Sequence, residues 1–480
     1  MNTHTDITSF SATQLSSAIK QKEVSCVEVM QAYLDRINKY NLVYNAIVYL
    51  QDSDDLLAQA ARADAVLAEG EYWGWMHGFP HAVKDLSNVR GIVTSSGSPI
   101  FKNNVARQDD VFVDRIRQQG AIFIGKTNVP EFGLGSQSYN TVHGVTRNAY
   151  NPKLCAGGSS GGASVGMATG MLPIADGSDM MGSLRNPAGY NNVIGFRPSQ
   201  GRVPHAGGDL FFQQMGYEGP MGRNVEDTHR LLLTMAGFDS RMPISLPDQL
   251  DPSPLSPTPL DKVTVGWMGD YMGYLPMEKG VLELCENSLN SLAEHGLIIG
   301  EAIPEFAMDR LWQTWLTLRH WTIAGLAKPL YDKSEWRALL KPEAVWEIEG
   351  GLEQTGIDIS TASVARSEWY LALHKLFEQY DFLILPSAQV FPFAAETHWP
   401  KEVNGKTMDS YHRWMEVTIS GTLSGCPVVN VPVGFDATGR PMGMQIIGPM
   451  GSDLKVLEFA AAYEAHTDFL SQQAILVSNF

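Results

Sequence analysis

Gly157-Gly158-Ser159-Ser160-Gly161-Gly162-Ala163-Ser164-Val165-Gly166-Met167-Ala168 is the densest signal in the chain, a run of glycines and serines passing into small residues of helical texture. A helix of Gly, Ala and Ser packs close to its neighbours because no long side chain holds them off. Backbone bare of side chains beside hydroxyls suits acyl transfer, where a substrate carbonyl must come within about 3 Å of main-chain N–H groups. The same composition also reads as a flexible linker, and the stretch alone leaves both readings open. Gly157-x-Ser159-x-Gly161 and Gly158-x-Ser160-x-Gly162 both fit the G-x-S-x-G nucleophile elbow, but that elbow follows an apolar strand. Here Asn148-Ala149-Tyr150-Asn151-Pro152-Lys153 precedes it, which is no strand, and no phosphate-binding lysine follows the glycines.

Working outward, Ser183 closes a second tight turn in Asp176-Gly177-Ser178-Asp179-Met180-Met181-Gly182-Ser183-Leu184-Arg185-Asn186-Pro187. Upstream, Gly78-Phe79-Pro80-His81-Ala82-Val83-Lys84-Asp85 places a lysine at the end of a short strand. Each alone is ordinary: turn serines serve turn chemistry, and lysines at strand ends are commonly solvated. Ser17-x-x-Lys20 imitates another hydrolase nucleophile, but it lies on an amphipathic N-terminal helix with no partner motif downstream. Cys155, just before the glycines, is the cysteine placed where a nucleophile could sit.

Together the Lys84, Ser159 and Ser183 segments resemble the amidase signature family, whose pattern is G-x-P-x-x-V-K-D, then G-G-S-S-G-G, then D-x-G-G-S-[IL]-R-x-P. Gly125-Lys126-Thr127-Asn128, Gly195-Phe196-Arg197-Pro198-Ser199, Pro427-Val428-Val429-Asn430-Val431-Pro432-Val433-Gly434 and Gly443-Met444-Gln445-Ile446-Ile447-Gly448 also look like that family. The resemblance covers most of the chain, with 239–420 the least distinctive part. It implies an α/β fold: a single large α/β/α domain with a mixed central β-sheet covered by helices.

It also implies an amidohydrolase in which Ser183 is the nucleophile, Ser159 the bridging serine and Lys84 the terminal base. No cofactor or metal is required. The implied oxyanion hole is the main-chain N–H of Met180, Met181, Gly182 and Ser183. Ser160 is placed to tie the Lys84 amine, while Asp179 and Arg185 brace the turn. His81 is not used by the family and is expected on the other face of the Lys84 strand or in the interior. In the family the peptide bond before the bridging serine is cis. For Lys84 to act as a base it must be neutral, so its site must bring an ordinary pKa of about 10.4 down by several units.

One departure is Met181, where the family has glycine; the hole survives a side chain there if φ stays negative. Met180 or Met181 adds an apolar wall to the acyl pocket, or both pack in the core. Trp312, Trp315, Trp321, Trp336, Trp346, Trp369, Trp399 and Trp414 crowd one region, as a substrate funnel or as helix packing. The lean is toward a small apolar or aryl amide, with carbamates, anilides and esters open to the same relay. The rivals are a glutamine-hydrolysing amidotransferase A-type subunit, which needs a partner, and an inactive binding homologue.

The rest of the chain sets the frame. Its 480 residues are 44% hydrophobic and 18% charged, with 35 basic against 52 acidic side chains for a net charge of -17. That is a folded protein which repels phosphate backbones, so no nucleic-acid partner is expected. No signal-like start and no apolar run long enough for a bilayer are present, so a cytoplasmic protein with no membrane contact is expected, as monomer or homodimer. Four scattered cysteines argue against zinc knuckles or disulfides. We read an N-terminal helical segment at 1–70, a catalytic core at 71–238, a Pro-rich surface linker at 239–261 and the remainder of the same domain at 262–480. Within the last, 302–420 is Trp-rich and mainly helical. Short strands are expected at 46–50, 121–124, 172–175, 263–267, 297–299, 382–385, 428–433 and 442–447.

Overall fold

Ser11, Ser25 and Asp52 each open a helix by accepting backbone N–H groups that the first turn leaves unpaired. Ser11 and Ser25 do so reciprocally with Gln14 and Glu28, and the helices Ala12–Lys20, Cys26–Tyr44 and Ser53–Ala68 follow. Their apolar faces, among them Leu15, Met30, Leu34 and Ala60, lie in one hydrophobic core that continues through the protein. The computed structural model describes residues 6–212 and 215–479. The signal-free reading of Met1–Thr5 falls outside the described residues.

Two sheets position the chemistry. The smaller has three strands, with Pro80–Lys84 parallel to Ile122–Thr127 and Ile47–Val48 antiparallel on its other side. The larger has eight, in the order Ile298–Glu301, Thr264–Trp267, Phe382–Pro386, Pro441–Ile447, Val428–Phe435, Ile194–Arg197, Tyr217–Gly222 and Ala175–Asp179. The first two pairings are parallel and the rest antiparallel, so the sheet is mixed. Helices such as Gly161–Ala168, Val281–Ala293 and Asp453–Ala465 pack against these strands. The single α/β/α architecture is therefore present.

Thr264–Trp267, helix Val281–Ala293 and Ile298–Glu301 form the expected β-α-β unit, and Asp436–Gly439 turns the last hairpin, with Gly439 at φ +82°. Two strand readings change. The apolar run Leu172–Ala175 is mostly loop, and the strand runs Ala175–Asp179 because its partner Tyr217–Gly222, not its own apolarity, selects the register. That partner, written with Gly219, Pro220 and Gly222, was not expected as a strand at all. Residues 239–259 hold no helix or strand. No described helix is long and apolar enough to cross a membrane.

Candidate active site

The small and large sheets meet at the site. Across the seam they are tied by the carboxylate of Asp176, which accepts the Lys84 N–H at 3.1 Å and sits 3.0 Å from His81 Nε2. His81, fully buried, thus holds the seam rather than facing the serines. Lys84 ends its strand with no exposed surface, and its Nζ lies 2.8 Å from Ser159 Oγ, 2.8 Å from Ser160 Oγ, and 3.0 Å from both the carbonyl and hydroxyl oxygens of Ser178. Ser159 and Ser160 are held in place by the helix Gly161–Ala168, buried throughout except for half-buried Ala168. The linker reading of the Gly/Ser stretch is thereby overturned: a Cβ at Gly162 would collide with the backbone of Asn128 and Ala46. The Gly158–Ser159 peptide bond is cis.

Burial drives the Lys84 amine down to about 7 from 10.5, although Asp179, Asp176 and Glu218 pull the other way. A neutral amine has a lone pair to accept a proton and two N–H groups to donate. The Ser178 carbonyl can take one of them while the lone pair faces a serine hydroxyl. We predict that kcat/KM rises with pH as a single ionisation near 7 and then levels; a profile flat from pH 5 to 9 would exclude Lys84 as the base. A second buried lysine, Lys126, donates to Ser87 O and Thr94 Oγ1 and reaches none of Ser159, Ser160, Ser178 and Ser183. Burial lifts the Cys155 thiol to about 12, so it stays protonated and is no nucleophile.

Ser183 stands in the turn between strand Ala175–Asp179 and helix Arg185–Tyr190. Its hydroxyl makes no hydrogen bond to any described residue, and the turn is joined to the serine loop through Ser160 N–H donating to Ser183 O at 3.2 Å. Gly182, at φ +83°, makes the corner, and a Cβ there would strike Thr418. Met181 has no positive φ, so backbone N–H groups can converge as the family pattern demands. Of the expected donors, the Gly182 N–H donates to Asp179 Oδ1 at 2.8 Å, whereas those of Met180, Met181 and Ser183 have no partner among the described residues.

Asp179 is the anchor of that turn. It accepts from Gly182 N–H, Leu184 N–H and both arms of Arg185, at 2.8 to 3.1 Å. Burial alone would raise its pKa, but Arg185 and Arg197 hold it well below the usual carboxylate range. Arg185 also reaches Thr418 O and Thr422 Oγ1, at 2.8 and 3.0 Å. Both side chains are fully buried. They brace the turn that carries Ser183.

The sequence profile described as Amidase matches residues 28–457. The chain belongs to the amidase family. An acylamidase of Rhodococcus erythropolis is 30% identical over 464 residues, covering 95% of each chain. The A-type subunit of a glutamyl-tRNA(Gln) amidotransferase from Thermosynechococcus vestitus (strain NIES-2133 / IAM M-273 / BP-1) is 31% identical, over 96% of this chain and 98% of that one. Among solved structures, a bacterial aryl acylamidase of the amidase signature enzymes superposes with TM-score 0.90 at 27% identity, over 96% of this chain and 98% of the other. This amidase is accordingly a hydrolase of amide carbon–nitrogen bonds.

The surroundings of the amidase serines divide the remaining sequence candidates. Met181 lies in the main core, while Met180 is half-buried against Arg319, so of the two Met180 is the one not committed to the core. Trp312, Trp315, Trp369 and Trp414 are core residues; Trp346 is the exposed one among the eight, with Trp321, Trp336 and Trp399 between. Packing thus accounts for half of the cluster. A second apolar cluster, Leu134, Ile323, Leu340, Ala344, Ile348 and Tyr411, stands apart from the core. Sequence reasoning missed Ser178, whose two oxygens hold the Lys84 amine, although it lies inside the quoted motif one residue before Asp179. It also missed Arg319 and Tyr411, for which no local signal exists.

Proposed function

We propose that this amidase hydrolyses small apolar or aryl amides through an acyl-enzyme on Ser183, without a partner protein. The observation that carries the reading is the apolar cluster at the bridging serine. A Cβ on Gly133 would stand 3.4 Å from Ser159 Oγ, and the next residue, Leu134, belongs to that cluster. In this reading the cluster, buried in the free protein with Leu134 2% exposed, comes against apolar substrate surface beside the relay, a contact worth roughly 25 cal/mol per Å² covered.

In this mechanism Ser183 Oγ attacks the carbonyl carbon while its proton passes to Ser159 Oγ and the Ser159 proton to Lys84 Nζ. The oxyanion forms against the N–H groups of Met181 and Ser183. The relay returns a proton to the departing nitrogen as the C–N bond breaks, releasing the amine. Water then adds to the acyl-enzyme by the same path, freeing the carboxylic acid and restoring Ser183. Ser160 and Ser178 hold the amine aligned throughout.

Purified protein alone, assayed on acylated anilines, aliphatic amides and glutamine, tests this. We expect kcat/KM for an anilide to exceed that for glutamine by at least about 100-fold, since a buried apolar wall does not solvate an α-amino acid. Glutamine turnover that equals anilide turnover, or appears only with an added partner, would support the amidotransferase reading instead.

A further inference from the structure

Arg319, on helix Met308–Tyr331, is tied to the second apolar cluster through Tyr411, and it is only 5% exposed. Its Nε donates to Glu347 Oε1 at 2.9 Å and its Nη2 to Tyr411 OH at 3.1 Å, while Tyr411 OH donates to the same Glu347 oxygen at 2.5 Å. This triangle fixes the plane of the guanidinium. The remaining edge, Nη1, meets only the thioether of Met180, at 2.6 Å. A thioether is a weak acceptor, and a buried charged donor without an oxygen partner is costly. Met180 lies three residues before Ser183, and its flexible side chain can move aside easily. The Arg319 edge therefore faces the nucleophile turn across a displaceable group.

We propose that Arg319 Nη1 is a specificity-determining donor of the substrate site, taking a neutral acceptor oxygen of the amide substrate in the place now held by the Met180 sulfur. The inference rests on the amide-hydrolase reading above and refines its substrate class: an apolar or aryl amide carrying a second oxygen, such as a ketone, sulfonyl or nitro group. Charge decides for a neutral acceptor over a carboxylate. Glu347 already neutralises Arg319, and Lys341, whose Nζ is committed to Leu134 O, stands beside Glu343 at 3.9 Å and Glu131, which accepts the Lys341 N–H. His320 Nδ1 lies 2.9 Å from Glu347 and His412 Nε2 lies 3.7 Å from it. Burial keeps His412 neutral, its pKa lowered to about 3. A carboxylate would thus add an uncompensated buried charge.

The test compares matched anilides bearing acetyl, isopropyl or carboxyl, placed on the ring in one series and on the acyl chain in another. Wild-type protein is expected to favour acetyl over isopropyl by about 10–100-fold in kcat/KM in one series, the range for a hydrogen bond to a charged donor, and to turn over the carboxyl compounds worst. Arg319→Lys keeps a cation beside Glu347 but lacks the third edge of the planar fork, and brings the acetyl/isopropyl ratio close to one. Should that variant fail to fold, Arg319→Met combined with Glu347→Leu removes both charges together and predicts the same ratio. Met180→Leu keeps the preference, because the sulfur only occupies the edge. Equal acetyl and isopropyl rates in wild type, a ratio that survives loss of Arg319 or vanishes in Met180→Leu, or a preference for carboxyl would each overturn the inference. Turnover of isopropyl anilides without any acetyl preference sinks this inference alone. Absence of Ser183-dependent turnover of every anilide sinks the amide-hydrolase reading and this inference with it.

Discussion

Lys84→Met lowers kcat/KM for a good amide substrate by about 10³–10⁴-fold and removes the ionisation near pH 7, while Ser183→Ala lowers it by about 10⁴–10⁶-fold. The difference follows from what each variant retains. Without Lys84 the nucleophile, the oxyanion donors and the apolar wall remain, so binding and charge stabilisation still act on an unactivated hydroxyl. Without Ser183 no acyl-enzyme forms at all. The methionine is the appropriate replacement because Lys84 is buried, and an aliphatic chain of similar length fills the volume without leaving a cavity. Combining Lys84→Met with Ser183→Ala adds little to Ser183→Ala alone, because residues of one relay fail as a unit. Pre-steady-state kinetics provides the check: a burst of aniline release in Ser183→Ala would dismiss Ser183 as the nucleophile.

The second large effect is on stability. Arg185→Met leaves the Asp179 carboxylate fully buried with only the Gly182 and Leu184 N–H groups as hydrogen-bond partners, Arg197 being bonded to the Asp179 main-chain carbonyl instead, and is expected to cost about 3–5 kcal/mol, read as a lower denaturant midpoint. The sign with pH follows from Asp179. Its folded pKa is depressed, so its stabilising contribution is complete above the unfolded carboxylate value near 3.9 and is lost as pH falls toward the folded one. Arg185→Met weakens the depression, so the gap between wild type and variant narrows in strong acid. An unchanged midpoint at neutral pH would mean that the Asp179–Arg185 pair contributes nothing to the turn.

How legible all this was in the amino-acid sequence depended on distance along the chain. Lys84, Ser159 and Ser183 sit inside contiguous motifs whose neighbours shape the backbone around them, and the structure brings Lys84 and Ser159 within 2.8 Å. The positions of Ser160 at the Lys84 amine and of Asp179 and Arg185 at the Ser183 turn were readable for the same reason. Gly182 was not: which N–H groups stay open depends on where the Asp179 carboxylate folds back, a three-dimensional fact. The strand Tyr217–Gly222 was hidden because glycine and proline ordinarily mark breaks, yet here Gly219 leaves room for the Phe196 carbonyl and Pro220 sits opposite Asp176 in the ladder. Arg319, Glu347 and Tyr411 come from separate segments of the least motif-like region, so nothing local announces that they meet.

The seam at Asp176 has a consequence of its own. Lys84 stands on one sheet and Ser183 follows the edge strand of the other, and across that edge the Lys84 backbone is held by a side chain instead of a ladder of main-chain bonds. A ladder distributes load over many residues; here side chains carry it. The site is therefore a joint between two sheets, held at the Lys84 backbone by the Asp176 carboxylate and at the Lys84 amine by the Ser178 oxygens. Evolution can retune or silence such an enzyme at Asp176 or His81 without touching a serine, the lysine or the substrate wall.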